Sequence, residues 1–593
     1  SLWKTHADGN ASDIETTVTR SMFMSMVLRR PDHPDFDLWF ERVYAILQSS
    51  ADPKLRMLLE PLLAISMMWA GRYSRALDTI ESLRAATESD DVPPLALVSL
   101  KYVESMYYML VGKHQACREA VEQGLEISRS QGVRVWGDQL LAQGVAVSLE
   151  IGELESAERL LKEMESSSAR SRRLGRCLYH SLSAWSCMLR DDTMSAYEHQ
   201  RMALSASQEV GSPFFEVLCR LGWAQVLAAT GDIRKSDAQL RRVSGTLSGM
   251  NSRLLEFMTH LTSAQVALET GRPGQGLDAL RAALELGRQH GLTHVLWWRP
   301  RSMARLCAWA LAEGVEVDYV RHLVRVRRLA PAGELVDAAA WPWPFKLFAL
   351  GKFRLLKEDQ PQPLGGKAQS RPLELLKVLV ALGGKDVRAE QLAETLWPHV
   401  DGDYAYASFT STLHRLRRLL GLDEAVVLQD GRVSLNPSYF WLDTWIFERT
   451  LGKVDAALAG SSKPTTDQQL NELAQQLLGL YQGPFLEDES DRACYVAFRE
   501  HLRSRFLRHT SKLVRRWEET EQWDKIADYY ERAIDVDDLC EGLYRQLMLF
   551  YQKRGHASEA VDVYDRCRRT FSALLNANPS AETTAIYQSI KGS

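Results

Sequence analysis

Apolar and polar positions follow a helical period over most of this chain, and residues 404–420 combine an apolar stripe with a basic, hydroxyl-bearing face. The apolar positions fall at i, i+4, i+7 and i+11 and are Phe409, Leu413, Leu416 and Leu420. A different face, roughly 140° around the helix, carries Ser408, Ser411, Thr412, Arg415 and Arg418. Small hydroxyls allow close approach, and arginine can fork onto guanine edges or phosphate. The pattern therefore predicts either a helix that enters a DNA groove or an ordinary solvated helix face.

A repeat of about 40 residues organises residues 61–330. Turn-like tripeptides recur at spacings of 39 to 41 residues, beginning at Gly71, Gly112, Gly152, Asp191, Gly231 and Gly271. Five residues after each of these starts stands a small side chain, namely Ala76, Cys117, Ala157, Ala196, Ser236 and Gly276. A glycine or aspartate that closes one helix, followed by a small residue where the next helix crosses, is typical of stacked helical hairpins. We predict an α-solenoid here, preceded by a separate helical segment in residues 1–60.

The pattern changes after residue 330. Alanines followed by Trp341-Pro342-Trp343-Pro344 oppose both helix and central strand, so residues 331–345 are predicted as a linker. Residues 346–443 then show short extended runs, a helix that starts near the Ser370-Arg371-Pro372 cap, a short helix at 387–396 and the helix at 404–420. Two β-branched runs around Asp430-Gly431 follow and predict a hairpin. Small antiparallel sheets, three helices and a hairpin are the elements of a winged helix-turn-helix.

The last segment, residues 444–593, is predicted to be helical throughout. Near its end the positions repeat every 34 residues, pairing Trp523 with Ala557, Ile526 with Ala560, Tyr530 with Tyr564 and Ala533 with Cys567. The predicted fold class is therefore mainly α: a tetratricopeptide-like α-solenoid, a winged helix-turn-helix with small antiparallel sheets, and a second all-α tetratricopeptide-like domain.

Composition restricts the possible functions. The 593 residues include 72 Lys+Arg against 76 Asp+Glu, so any DNA binding must come from a local basic patch rather than from overall charge. The chain has no apolar run of 18 residues or more, which predicts no membrane segment. Eight cysteines without a CxxC pair predict neither zinc nor disulfides and indicate a reducing cytoplasm. Because the chain begins Ser-Leu-Trp, we expect a further segment upstream.

Motifs for catalysis are missing from the sequence. It contains no HExxH, GxSxG or Walker signature, and Gly365-Gly366-Lys367 lacks the upstream glycine and the hydroxyl of a phosphate loop. We therefore predict no enzyme activity, no cofactor and no metal within this chain. Trp297, Trp298 and Arg299 form a candidate effector-binding cluster, because adjacent tryptophans should not both face one core. Core packing between repeats is the alternative for each tryptophan.

The repeat array resembles the tetratricopeptide superfamily, in the elongated form found in maltose-activator-type regulators. That resemblance implies an effector-sensing domain. Residues 346–443 are similar to the response-regulator type of winged helix used by antibiotic regulatory proteins. The motifs that carry this similarity are Gly351-Lys352-Phe353, residues 365–372, residues 390–398 and residues 413–421.

In that family the third helix lies in the major groove and the hairpin wing reaches a minor groove. Carried across, the resemblance implies base contacts by Ser408, Ser411, Thr412, Arg415 and Arg418. It implies phosphate or wing contacts by Lys367, Arg371, Arg417 and Arg432.

Residues 480–486, reading LYQGPFL, and the arginine-rich residues 499–516 resemble the bacterial transcriptional activation domain. The resemblance implies a cytoplasmic, sequence-specific activator that recruits RNA polymerase to double-stranded DNA. It further implies a repeat array that senses an effector or partner, and self-association on repeated half-sites. Regulators of this layout often carry an upstream ATPase domain, which we expect outside this chain. The alternative is a scaffold whose repeats bind protein partners and whose winged helix does not bind DNA.

Overall fold

The chain folds almost entirely into helices, which form two compact units, Ser1–Leu335 and Val336–Ser593. The computed structural model describes residues 11–50, 52–88, 92–168, 173–331, 340–362, 367–459, 466–489 and 491–591. Short strands occur only in the second unit within these described ranges. The predicted fold class is confirmed.

Unit 1 opens with two helices and continues as seven helical hairpins in its described part. The opening helices are α1 (Ala11–Arg29) and α2 (Phe36–Ser49). The hairpins are α3 (Pro53–Trp69) with α4 (Tyr73–Ala86), α5 (Pro94–Leu110) with α6 (His114–Ser130), α7 (Gly137–Glu150) with α8 (Leu154–Ser168), α9 (Arg173–Leu189) with α10 (Thr193–Val210), α11 (Pro213–Ala229) with α12 (Ile233–Leu247), α13 (Arg253–Glu269) with α14 (Pro273–His290), and α15 (Pro300–Ala312) with α16 (Val317–Val326).

The turns of these hairpins have the conformation that their sequence predicts. All six predicted turn starts have positive φ, from 60° at Asp191 to 86° at Gly231, so the chain reverses through the left-handed region there. The small residues five positions later are buried, and Ala76, Cys117 and Ala157 are 0% exposed. Small side chains at these points let consecutive helices cross closely.

Residues far apart in sequence meet inside unit 1. Trp69, at the end of α3, stacks on Phe214 with ring centroids 3.9 Å apart, and its carbonyl accepts a hydrogen bond from Ser252 at 2.9 Å. Arg327, which follows α16, is buried and donates to the Glu150 carboxylate at 2.5 Å. The last hairpin is thereby fixed to the third by a buried ion pair.

Unit 2 begins with a winged helix-turn-helix. Its strands are β1 (Phe345–Phe348), β2 (Arg354–Lys357), β3 (Gln360–Pro361), β4 (Val387–Arg388), β5 (Val426–Gln429), β6 (Arg432–Leu435) and β7 (Phe440–Leu442). Its helices are α17 (Lys367–Ala381), α18 (Ala389–Leu396) and α19 (Gly402–Leu420), and a short 3₁₀ helix spans Asp423–Ala425. The strands form a four-stranded sheet in the order β3-β2-β1-β7 and a three-stranded sheet in the order β4-β6-β5.

Three local predictions for this domain differ from the structure. Helix α17 starts at Lys367 and contains Pro372, so the predicted start near Ser370 is wrong. Proline so close to a helix N-terminus removes only one backbone hydrogen bond, which explains why the helix continues through it. Residues 387–388 form β4 rather than helix, and β7 pairs with β1 in parallel rather than antiparallel fashion.

Seven helices complete unit 2 within its described part. They are α20 (Asp443–Leu458), α21 (Asp467–Leu480), α22 (Ala493–Glu519), α23 (Trp523–Val536), α24 (Glu541–Lys553), α25 (Ala557–Leu575) and α26 (Ala581–Lys591). One cluster of buried apolar side chains runs from β1 to α26, so the winged helix and the helices after it share a core.

Candidate nucleic-acid interface

Helix α19 is held by its ends and by its apolar stripe. Its first turn is capped by Asp401, whose carboxylate accepts from the amide of Asp403 at 3.2 Å, and Gly421 ends it with φ 72°. The buried side lies against α17 and α18 and consists of Ala405, Phe409, Thr412, Leu413, Leu416 and Leu420. Burial of this stripe fixes which side chains of the opposite face meet solvent.

The structure exposes three of the five residues predicted to contact bases. Ser411, Arg415 and Arg418 are exposed, and Ser408 is half-buried. Thr412 is only 5% exposed, and its hydroxyl donates to the Ser408 carbonyl at 2.8 Å. Thr412 therefore belongs to the packed side of α19 and is unable to present its hydroxyl to a base, which corrects the prediction for this residue.

Sequence reasoning missed one residue of this surface. Tyr404 is 74% exposed and stands at i, with Ser411 at i+7, Arg415 at i+11 and Arg418 at i+14. These intervals place all four on one helix face, so periodicity alone held the signal. We call Tyr404, Ser411, Arg415 and Arg418 the exposed strip of α19. Its aromatic, hydroxyl and guanidinium groups can stack, accept and donate at a groove floor.

The arginine beside this strip has a different task. Arg417 is half-buried, and its Nε and Nη2 both donate to the carbonyl of Val426, at 2.9 and 2.8 Å. Val426 is the first residue of the wing strand β5, so the guanidinium ties α19 to the wing. The predicted phosphate contact of Arg417 is incompatible with this internal use of its donors.

The other predicted phosphate and wing residues are placed at the periphery. Arg371 is exposed and pairs with Glu374 at 2.7 Å. Arg432 follows the wing turn and donates to the carbonyl and carboxylate of Asp386, at 3.0 and 3.1 Å. The backbone of Lys367 starts α17, while the surroundings of its side chain lie outside the described residues.

The wing itself is a two-residue hairpin. Asp430 and Gly431 both have positive φ, 50° and 71°, as a type I′ turn requires. Residues Val426–Gln429 pair in register with Leu435–Arg432. The Asp-Gly dipeptide thus sets the hairpin register that the sequence predicted.

A buried carboxylate joins this domain to the helices that follow. Asp443 begins α20, and its Oδ2 accepts from the amides of Ala349 and Leu350 at 2.6 and 2.8 Å. Its Oδ1 accepts from the amide of Thr444 at 2.7 Å. Burial raises the pKa of Asp443 to about 7, against the opposing effect of these amides. The contact fixes α20 to the end of β1.

Ion pairs extend this junction to α17. Glu374 pairs with Arg492, which also donates to the Thr395 carbonyl at 3.3 Å. Lys377 pairs with Glu489. Helix α17 packs against α22, so the winged helix is braced along one side by the C-terminal helices.

The arginine-rich helix α22, predicted as a strip toward DNA phosphate or polymerase, divides into two parts. Its N-terminal arginines donate within the unit: Arg499 to the Phe485 carbonyl at 3.0 Å, Arg503 to Asp537 at 2.9 Å, and Arg505 to Glu448 at 3.1 Å. Arg508 and Arg515 are exposed and line a groove of about 830 Å³. Only the second part offers cations to an external partner.

The predicted effector cluster is inside the repeat array. Trp297 is 4% exposed and Trp298 is 2% exposed. The Trp298 carbonyl accepts from the indole of Trp185 at 3.0 Å, and Arg299 donates to Glu269 at 2.8 Å. The expectation that adjacent tryptophans cannot both be buried is wrong here, because φ of Trp297 is +66° and the backbone turns between them. Neither ring is available to an effector at the surface.

Comparison with known proteins adds a family to this geometry. Residues 442–591 match the model of the bacterial transcriptional activator domain. Transcriptional regulatory protein MoaR1 of Mycobacterium tuberculosis is 25% identical over 245 residues, which are 41% of this chain and 77% of MoaR1. That alignment is longer than the domain match, so the similarity extends beyond the activator domain.

A second relative covers a similar share of this chain. Transcriptional regulatory protein EmbR of Mycobacterium tuberculosis is 27% identical over 249 residues, which are 41% of this chain and 62% of EmbR. The chain thus spans less than two thirds of EmbR. The solved structure of EmbR in complex with a low-affinity phosphopeptide is 23% identical, with a TM-score of 0.30, over 42% of this chain and 65% of that one.

Two further findings concern the described residues. None of their helices is long and apolar enough to cross a membrane. The winged helix, the activator domain directly after it and the two relatives agree with one another. The chain is therefore a transcriptional regulator of the antibiotic-regulatory-protein type, with a bacterial transcriptional activator domain at residues 442–591.

Proposed function

We propose that this protein is a sequence-specific, double-stranded-DNA-binding activator that reads its operator through α19. The observation that carries the proposal is the exposed strip of α19, which presents Ser411, Arg415 and Arg418 on the side opposite the core. Arg415 and Arg418 would contact base edges, and Arg371 and Lys367 would contact phosphate. Arg432 would approach the minor groove from the wing.

Self-association follows from the small size of this interface. One helix reads few bases, and three or four phosphate contacts give a salt slope of only about −3. Useful specificity therefore needs neighbouring copies on repeated half-sites. We propose that an effector or partner bound to the repeat array favours this assembly, and that the activator domain then recruits RNA polymerase.

The proposal places the protein in the cytoplasm, at the nucleoid when it is active. It assigns no catalytic group and no cofactor to this chain, and any ATP dependence would reside in an upstream domain. The relatives that match it are regulators rather than enzymes.

The test is a gel-shift series on selected operator DNA with Arg415→Ala, Arg418→Ala and the control Arg569→Ala. Arg569 is an exposed arginine on α25, far along the chain from the winged helix. We expect each α19 variant to lose about 1–3 kcal/mol of binding free energy and to relax base preference, because a bidentate base contact is lost. Arg569→Ala should bind like the wild type.

Unchanged affinity and base preference in both α19 variants would refute the recognition-helix assignment. A salt titration with random duplex adds a second criterion. Complete absence of salt-dependent binding there would favour the scaffold alternative, in which the winged helix does not bind DNA.

A further inference from the structure

Two histidines meet between the helices of the fourth hairpin of unit 1. His180 lies on α9 and His199 on α10, and their Nδ1 atoms are 3.1 Å apart. Both imidazoles are half-buried. The ring of Tyr179 packs edge-on against both, with centroids 5.0 and 6.0 Å away. Neither histidine has a role in the proposed DNA interface.

The environment of this pair leaves nitrogen lone pairs available. Desolvation lowers the pKa of His180 to about 4, and it also lowers the pKa of His199. The charged groups that act on the pair are Glu165 from α8, Arg176 from α9 and Asp192 from the turn. Neutral imidazole is the form that binds transition metals.

The distance between the nitrogens fits one bound ion. Zinc–nitrogen bonds of about 2.0–2.1 Å at a tetrahedral angle put two ligand nitrogens roughly 3.3 Å apart. The observed 3.1 Å is close to this value, so a small change of the ring torsions would admit the ion. Two imidazoles held at this distance by packed helices are a preformed pair of ligands.

Glu165 is the nearest candidate for a third ligand. Its charge acts on both imidazoles, and its carboxylate shares a hydrogen bond with the hydroxyl of Tyr179. No three ligand groups already surround one point among the described residues. The carboxylate must therefore turn from Tyr179 toward the nitrogens to complete the set.

We propose that His180, His199 and Glu165 form a site for a divalent transition metal, with water in the fourth position. Two imidazoles and one carboxylate suit Zn²⁺ and its neighbours rather than Mg²⁺ or Ca²⁺. The ion would join α8, α9 and α10, which belong to two successive hairpins. Metal binding would thereby stabilise the relative position of these hairpins inside the repeat array.

The experiment titrates the full chain, carrying no polyhistidine tag, with Zn²⁺ by calorimetry and with Co²⁺ by visible absorption. The variants are His180→Gln, His199→Gln and Glu165→Gln, with His260→Gln as the matched control. His260 is also half-buried and interacts with a glutamate, Glu256, but no second histidine faces it. Circular dichroism of each variant confirms that its helices remain folded.

We expect wild type and His260→Gln to bind about one Zn²⁺ and to give Co²⁺ bands of four-coordinate geometry. Each histidine variant should bind about 100-fold more weakly or worse, and Glu165→Gln about tenfold more weakly. Equal affinity in the wild type and both histidine variants would overturn the site. Unchanged affinity in Glu165→Gln would overturn the three-ligand assignment.

Discussion

Gly222 lies where the indole of Trp297 crosses α11. A Cβ at this position would stand 2.7 Å from Cε2 of Trp297 and 2.9 Å from the amide nitrogen of Gln200. Both neighbours are buried, so neither can move away freely. We expect Gly222→Ala to lower the free energy of unfolding of unit 1 by about 1–3 kcal/mol, as overpacking does.

The control for this substitution is Gly245→Ala, measured by the same urea denaturation. Gly245 is exposed in α12, and nothing lies within 4 Å of a Cβ there. Alanine should gain about 0.5–1 kcal/mol at this helical site because glycine loses more backbone entropy on folding. Equal effects of the two substitutions would contradict the packing of Trp297 on α11.

Asp443 makes the stability of unit 2 depend on pH. Its folded-state pKa is about 7, above the unfolded value near 4. The group therefore contributes stability below about pH 4 and loses that contribution as pH rises through about 7. We expect the stability difference between wild type and Asp443→Asn to shift by roughly 3–4 kcal/mol against the wild type from pH 4 to pH 8. Urea denaturation at several pH values measures it, and a constant difference would contradict the burial of this carboxyl.

At the scale of elements, α19 and the wing act as one piece because Arg417 bridges them. Its two donations to the Val426 carbonyl join the helix to β5. We expect Arg417→Ala to lower the free energy of unfolding by about 1–3 kcal/mol, since the carbonyl loses a charged donor. Operator affinity should fall with the folded fraction while base preference stays the same.

The matched comparison is Arg418→Ala, one residue further along the same helix. Arg418 is exposed, so its removal should leave thermal unfolding unchanged and weaken DNA binding directly. Thermal melts and gel shifts on both variants separate the two roles. A melting temperature that drops equally in both would show that the assignment of the bracing arginine is wrong.

At the scale of the whole molecule, the two compact units differ in how their cores are built. Unit 1 repeats one hairpin, while unit 2 joins a winged helix and an activator domain through a shared core. Phe506 lies in that core, fully buried, with its ring stacked on Tyr481 at 4.5 Å. Because the core is shared, damage in α22 should reach the winged helix.

We expect Phe506→Ala to cost about 3–5 kcal/mol and to lower operator binding although the residue is remote from α19 in sequence. Fluorescence melting and gel shifts at matched temperatures measure both effects. Leu574→Ala, at a site 59% exposed on α25, is the control that should change neither. Loss of stability with full DNA binding at every temperature would indicate a winged helix that folds separately.

The sequence alone determined the parts that depend on neighbours along the chain. The hairpin period follows from turn residues with positive φ and from small residues at fixed offsets. The Asp430-Gly431 turn set the wing, and the apolar stripe of α19 set its buried face. These features are local, because backbone conformation and helix periodicity are decided within a few residues.

Only the tertiary structure decided which polar side chains remain available. Arg417 and Arg418 are adjacent, yet one serves the Val426 carbonyl and the other faces solvent. Trp298 is buried through its contact with Trp185, which lies 113 residues earlier. Whether a donor is spent internally depends on which distant backbone reaches it, and hydrophobic periodicity carries no information about that partner.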